Sequence, residues 1–189
     1  MEAAWAIGAG AGLASLAGFR AIVPLAIYIL MARLGWVWGF KVDDNPMDFM
    51  ISSIAVGGLL ALIALEIVMT RVKALAAFER NLQLPLSAGA GALLMSAAMA
   101  GTYPGLVHFV GIPAGVALAM AGIYDRRGMA MVGEGRDPGP ALDFSVVVLS
   151  ILMMAVPPAG YLMVLITLYL ASRVRRLRRL KYKGLRVLA

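Results

Sequence analysis

Arg20 lies in Leu13-Ala-Ser-Leu-Ala-Gly-Phe-Arg-Ala-Ile-Val-Pro-Leu25, with more than ten uncharged residues on either side. A guanidinium in such a run costs several kcal/mol unless it is paired or wetted, which makes it the first candidate for function. Near a helix break it could grip a phosphate, a carboxylate or a lipid headgroup through its planar fork of donors. The alternative is a structural arginine that caps the carbonyls of a broken helix or snorkels to an interface. Glu66, in Ala61-Leu-Ile-Ala-Leu-Glu-Ile-Val-Met69, is the deepest acid and the expected counter-charge. It is also close enough to Arg71 and Lys73 to be an interfacial carboxylate. Asp143 precedes Phe144-Ser-Val-Val-Val148 and is placed to cap a helix. Pro24 and Pro157 complete the candidate solute site, because a proline removes a backbone donor and can free carbonyl oxygens.

Other chemistry is thinly represented. The chain has no cysteine and one histidine, which argues against thiolate or imidazole metal sites. No nucleophile stands beside a base, and Gly133-Glu-Gly-Arg-Asp-Pro-Gly-Pro140 reads as a turn rather than a nucleotide loop. The expectation is a protein that is not an enzyme and carries no cofactor and no metal. Asp125-Arg126-Arg127 reads as a solvated helix end, and His108 as an interfacial hydrogen-bonder.

The elements that must position these residues are apolar. Of 189 residues 62% are hydrophobic and 14% charged, at a mean hydropathy of +0.88, outside the range of soluble domains. Five blocks stand out, at residues 3–34, 49–69, 84–100, 106–124 and 142–172. The expected fold is all-α, a polytopic transmembrane bundle, with one membrane domain over 1–172 and a basic cytoplasmic tail over 173–189. Blocks two to four suit single spans of about 20 residues. Blocks one and five are much longer and carry helix breakers, Gly18 and Pro24 in one, Pro157, Pro158 and Gly160 in the other, so both are predicted to be broken or re-entrant. The N-terminal run is too long for a signal peptide and is expected to be retained.

Loop charge sharpens the topology. If block five returns at Pro157-Pro158, the tail shares a side with Arg71, Lys73, Arg80, Arg126, Arg127 and Arg136, leaving Arg33 and Lys41 opposite, beside Asp43, Asp44 and Asp48. The positive-inside bias prefers this arrangement, with the tail in the cytoplasm of a bacterium and the chain in its inner membrane. The net charge of +7 is then no sign of nucleic-acid binding, since eight cations fall in the last seventeen residues. Arg173, Arg175, Arg176, Arg178, Arg179, Lys181 and Lys183, interleaved with Leu177 and Leu180, suit anionic lipid headgroups. Small residues four apart, Gly8 and Gly12, Ala14 and Gly18, Ser87 and Gly91, predict close helix packing. The related runs at 8–12 and 88–92 are compatible with a repeat of opposite topology.

Gly12 to Leu25 carries Gly-x-Arg-x-x-x-Pro after a small-residue run, and resembles the opening of the DUF4126 family of bacterial membrane proteins. Leu65-Glu66 closing block two, Asp143 before a proline-interrupted block, and the basic tail extend the resemblance. Two motifs depart from it: Met69-Thr-Arg-Val-Lys73 replaces the family's acid–base pair with proline, and its Gly-Asn-Pro is represented only by Arg136-Asp-Pro138 or Gly139-Pro140. The resemblance implies a membrane topology and no settled activity. The sequence is therefore read as a transporter-like protein for an anionic or amphipathic solute, such as a lipid phosphate, acting as a homo-oligomer. The alternative is an accessory subunit of a larger membrane complex.

Overall fold

The computed structural model describes residues 2–35, 48–71, 76–132 and 139–185, and among them every regular element is helical. Seven α-helices follow in order: α1 (Glu2–Ala17), α2 (Ile22–Arg33), α3 (Ser53–Arg71), α4 (Ala76–Ala100), α5 (Ile112–Val132), α6 (Gly139–Ala155) and α7 (Ala159–Leu185). Asp48–Ile51 and Pro104–Leu106 are 3-10 turns, and Val107–Gly111 is a π-turn leading into α5.

Both long blocks are broken where proline demands it. In one continuous helix Pro24 would lack its bond to the carbonyl of residue 20 and clash with it. The chain instead ends α1 with Gly18, Phe19 and Arg20 donating back to Ser15 and Leu16. It restarts at Ile22, so that Pro24 falls in the first turn, where a missing donor costs nothing. Pro157 and Pro158 act likewise between α6 and α7. There the carbonyls of Val156, Pro157 and Pro158 accept from the amides of Ala159, Gly160 and Tyr161. The two breaks therefore offer few free backbone groups, contrary to the expectation from the prolines. At the end of α2, Gly35 takes a positive φ of 71° that other residues adopt reluctantly.

Specific contacts fix the helix directions. Asp143 meets Arg20, whereas Met153, ten residues on, meets Gly12, so α6 runs antiparallel to α1. Gly160 then packs on Gly8 and Gly12, while Val174 meets Gly128, on the α5 helix that also meets Gly18, so α7 runs back parallel to α1. Block five is thus a V that reverses at Pro157, its arms laid against α1 and barely against each other. Gly91 on Gly115 and Ser96 on Gly111 set α4 antiparallel to α5. α2 packs against α6, and Arg33 in its last turn donates to the Ile51 carbonyl at 3.1 Å.

Glycines make these crossings possible. A methyl group on Gly12 would sit 2.6 Å from the Gly160 Cα, and one on Gly91 2.5 Å from the Gly115 carbonyl oxygen. Side chains on Gly18 and Gly122 would each strike the other's backbone. The small-residue faces thus serve packing within the chain. The runs at 8–12 and 88–92 lie on antiparallel helices, each closing against a different neighbour.

Polarity is arranged inside out. Ile54, Phe109 and Phe144 are 88%, 81% and 71% exposed, while Ser15, Ser87, Ser96, Ser150, Thr167 and Asp125 are buried. Among the described residues two stretches, Asn81–Ala100 and Pro104–Gly128, are long and apolar enough to cross a membrane. The apolar helices Ala3–Ala17, Ile22–Arg33 and Ala141–Ala155 are shorter than that, and of α3 the stretch Ser53–Ala64 has described side chains. The five-block count is therefore coarser than the architecture. Blocks one and five each divide in two, and block two gives its first residues to a 3-10 turn.

Candidate functional site at the Arg20 end

The ends of α1, α5 and α7 and the start of α6 gather the charged residues in one layer. At its centre Arg20 and Asp143 form a two-pronged ion pair, Nε to Oδ1 at 2.5 Å and Nη2 to Oδ2 at 3.0 Å. The arginine side chain is 11% exposed and the aspartate 45%, so the pair is open to water from the carboxylate side. Such a fork-to-fork match fixes both orientation and register. It also corrects the capping role expected of Asp143: α6 begins at Gly139, so Asp143 stands one turn inside the helix. Among the described residues, Arg20's carboxylate partner is Asp143 of α6. Glu66 lies on α3, and its side chain falls outside the described residues.

Arg126 adds a second cation to the break. Its Nη1 donates to the Phe19 carbonyl at 3.1 Å, where α1 has ended and its last carbonyls want donors. Asp125 beside it is fully buried, and neither carboxylate oxygen has a hydrogen-bond partner among the described residues. The expectation of a solvated helix end at 125–127 is thus overturned for two of its three residues; Arg127 alone is exposed. The cause is that α5 continues to Val132 and is drawn against α1 at Gly122 and against α7 at Gly128. The spacing Gly122-x-x-Asp125-x-x-Gly128 sets the acid on that tightly packed face, and is the signal the sequence offered.

Of the other expected site residues, Pro24 is buried one turn from Arg20 on α2. Pro157 is buried at the opposite end, against Gly8, roughly 20 Å away at about 1.5 Å of rise per residue along α6. Arg20 and Pro157 therefore do not share a site. On the Arg20 side an open groove of about 590 Å³ lies between α5 and α7, lined by Tyr124, Ala171, Ser172, Arg175 and Arg176. The basic segment continues α7 without a break from Arg173 to Leu185, and its side chains beyond Arg176 are outside the described residues. His108 is exposed in the π-turn at the far end.

A family model described as a domain of unknown function, DUF4126, matches residues 7–134. No curated protein and no solved structure matches the chain.

Proposed function

We propose that this chain, which belongs to the DUF4126 family, is a small multi-pass membrane protein of the transporter type that binds an anionic or amphipathic solute at its Arg20 end. A phosphate-bearing lipid fits the chemistry best. The observation that carries the reading is the Arg20–Asp143 pair at the break between α1 and α2, with its carboxylate half open to water. A phosphate offers the same two acceptor oxygens as Asp143 and can take its place on the guanidinium fork. Arg175 and Arg176 in the adjacent groove would draw the anion in, and the apolar outer faces would hold its chains. Neither catalysis nor a cofactor enters this reading.

The helix directions and the positive-inside bias together support a cytoplasmic Arg20 end and tail, with Arg33 and Tyr103 on the opposite face of a bacterial inner membrane. Because the chain lacks cysteine, single replacements report sidedness cleanly. In intact spheroplasts an impermeant maleimide is expected to label Leu34→Cys and Tyr103→Cys, and to spare Arg127→Cys and Arg173→Cys until the cells are lysed. Labelling of Arg127→Cys from outside would reverse or break the topology.

The binding site is tested on the full chain in nanodiscs by titration with short-chain phosphatidylglycerol, with phosphatidylcholine as the zwitterionic control. A charge-assisted contact is worth about 1.5–3 kcal/mol, so Arg20→Met is expected to weaken phosphatidylglycerol binding roughly 10- to 100-fold. Unchanged affinity would remove Arg20 from the site. The accessory-subunit reading keeps one supporting observation. On α3, Gly57 and Gly58 face open space beside the exposed Ile54, Leu60 and Ala61, a close-packing face with no occupant within the chain. Stoichiometric co-purification with an unrelated membrane complex would favour that reading, and a homo-oligomer the first.

A further inference from the structure

We infer that Asp125 is a proton-binding site, its carboxyl neutral in the packed bundle and exchanging its proton with the Arg20 end when α1, α5 and α7 part. The role of that exchange, coupling protons to solute movement, rests on the transporter reading; the protonated state itself does not.

An ionised carboxylate with no partner, sealed from water, costs several kcal/mol, and a protein avoids this by pairing the charge or neutralising it. Asp125 is fully buried with both oxygens unpartnered among the described residues. Among the described residues, the elements packed on α5 supply no counter-charge in contact with it. Residues 3–17 of α1 contain no ionisable side chain, and Arg20 just beyond is bound to Asp143. On α5 itself Arg126 reaches to the Phe19 carbonyl, and Arg127 is exposed. On α7 the cations Arg173, Arg175 and Arg176 are exposed. Glu79 and Arg80 of α4 have side chains outside the described residues, and His108 of the π-turn is exposed at the far end.

A proton suits this setting better than a metal ion. A metal ion gathers several oxygen donors into one shell, and here neither carboxylate oxygen has a hydrogen-bond partner among the described residues. Thr167 strengthens the assignment. It is fully buried on α7 with its hydroxyl unpartnered, and it lies seven residues before Val174, the residue that meets Gly128. Seven residues is two helical turns, so Thr167 faces the same α5–α7 seam as Asp125. The seam closes tightly around the acid, with Gly122 against the backbone of Ser15 and Gly18, and Gly128 against Val174. The step is a simple one: a hydronium ion gives its proton to a carboxylate oxygen and leaves as water, so one O–H bond forms and one breaks.

The test is an infrared pH titration of the full chain in lipid with isotope-labelled aspartate, compared with Asp125→Asn. A protonated-carboxyl band is expected at neutral pH, lost in full in Asp125→Asn, whose neutral, isosteric side chain should leave the melting temperature near the wild-type value. Absence of the band at neutral pH, its survival in Asp125→Asn, or its disappearance on adding sodium at constant pH would each overturn the assignment, the last in favour of a cation site. Should Asp125→Asn fail to fold, the wild-type titration with Asp143→Asn as the reference decides between the buried Asp125 and the half-exposed Asp143. No solute enters these measurements, so they stand or fall apart from the lipid-binding test.

Discussion

Gly160→Val is expected to leave almost no folded protein, while Gly89→Ala changes stability by less than about 1 kcal/mol. α7 crosses α1 at Gly160, where any side chain would run into the carbonyl oxygen of Gly8 and lie 3.1 Å from the Ala9 nitrogen. The obstacles are backbone atoms, which cannot rotate aside as a side-chain tip could. Ordinary overpacking costs about 1–3 kcal/mol, and forcing two backbones apart along a whole crossing goes beyond that, against a typical total stability of about 5–15 kcal/mol. The same crossing carries the Tyr161 hydroxyl to the Ala4 carbonyl at 2.5 Å, a contact that a displaced α7 loses. At Gly89 an added methyl meets nothing within 4 Å. Thermal melting of detergent-solubilised protein, followed by size-exclusion fluorescence, checks both variants. Equal midpoints for Gly160→Val and Gly89→Ala would show that the α1–α7 crossing does not hold the bundle together.

Local rules made the broken elements legible. Pro24 and Pro157-Pro158 act on the carbonyl four residues back whatever the surrounding fold, so the interruptions follow from sequence. Gly8, Gly12 and Gly91 announced close packing for a similarly local reason, though not their partners. Pairing across the chain was not legible. Arg20 and Asp143 are 123 positions apart, and they meet only because α6 descends antiparallel to α1 from the same end. Depth in an apolar block, the measure that pointed to Glu66, carries no information on helix direction and so could not reveal Asp143. Asp125 was misread because a charge cluster after an apolar run is ordinarily hydrated. What buries it is the approach of two further helices at Gly122 and Gly128, a tertiary event that the cluster itself does not encode.

The Arg20–Asp143 pair should give opposite rankings in stability and in binding. Asp143, nearly half exposed, stays hydrated if its partner is lost, so Arg20→Met, which keeps the apolar stem, is expected to cost less than about 1 kcal/mol, as for exposed pairs. Arg20 is far more enclosed, and Asp143→Asn leaves its fork short of a negative charge. Breaking a fully buried pair costs about 3–5 kcal/mol; with one partner half in water, about 2 kcal/mol is expected here. The double variant should return close to Arg20→Met alone, since neutral groups at both positions leave no stranded charge. For phosphatidylglycerol binding the order inverts. Arg20→Met loses the contact, whereas Asp143→Asn removes the competitor for the guanidinium and should bind at least as tightly as the wild type. Melting curves and lipid titrations on the four proteins settle both rankings together. If Asp143→Asn weakens binding as much as Arg20→Met does, the pair is a structural clasp and not an anion site held closed by its own carboxylate.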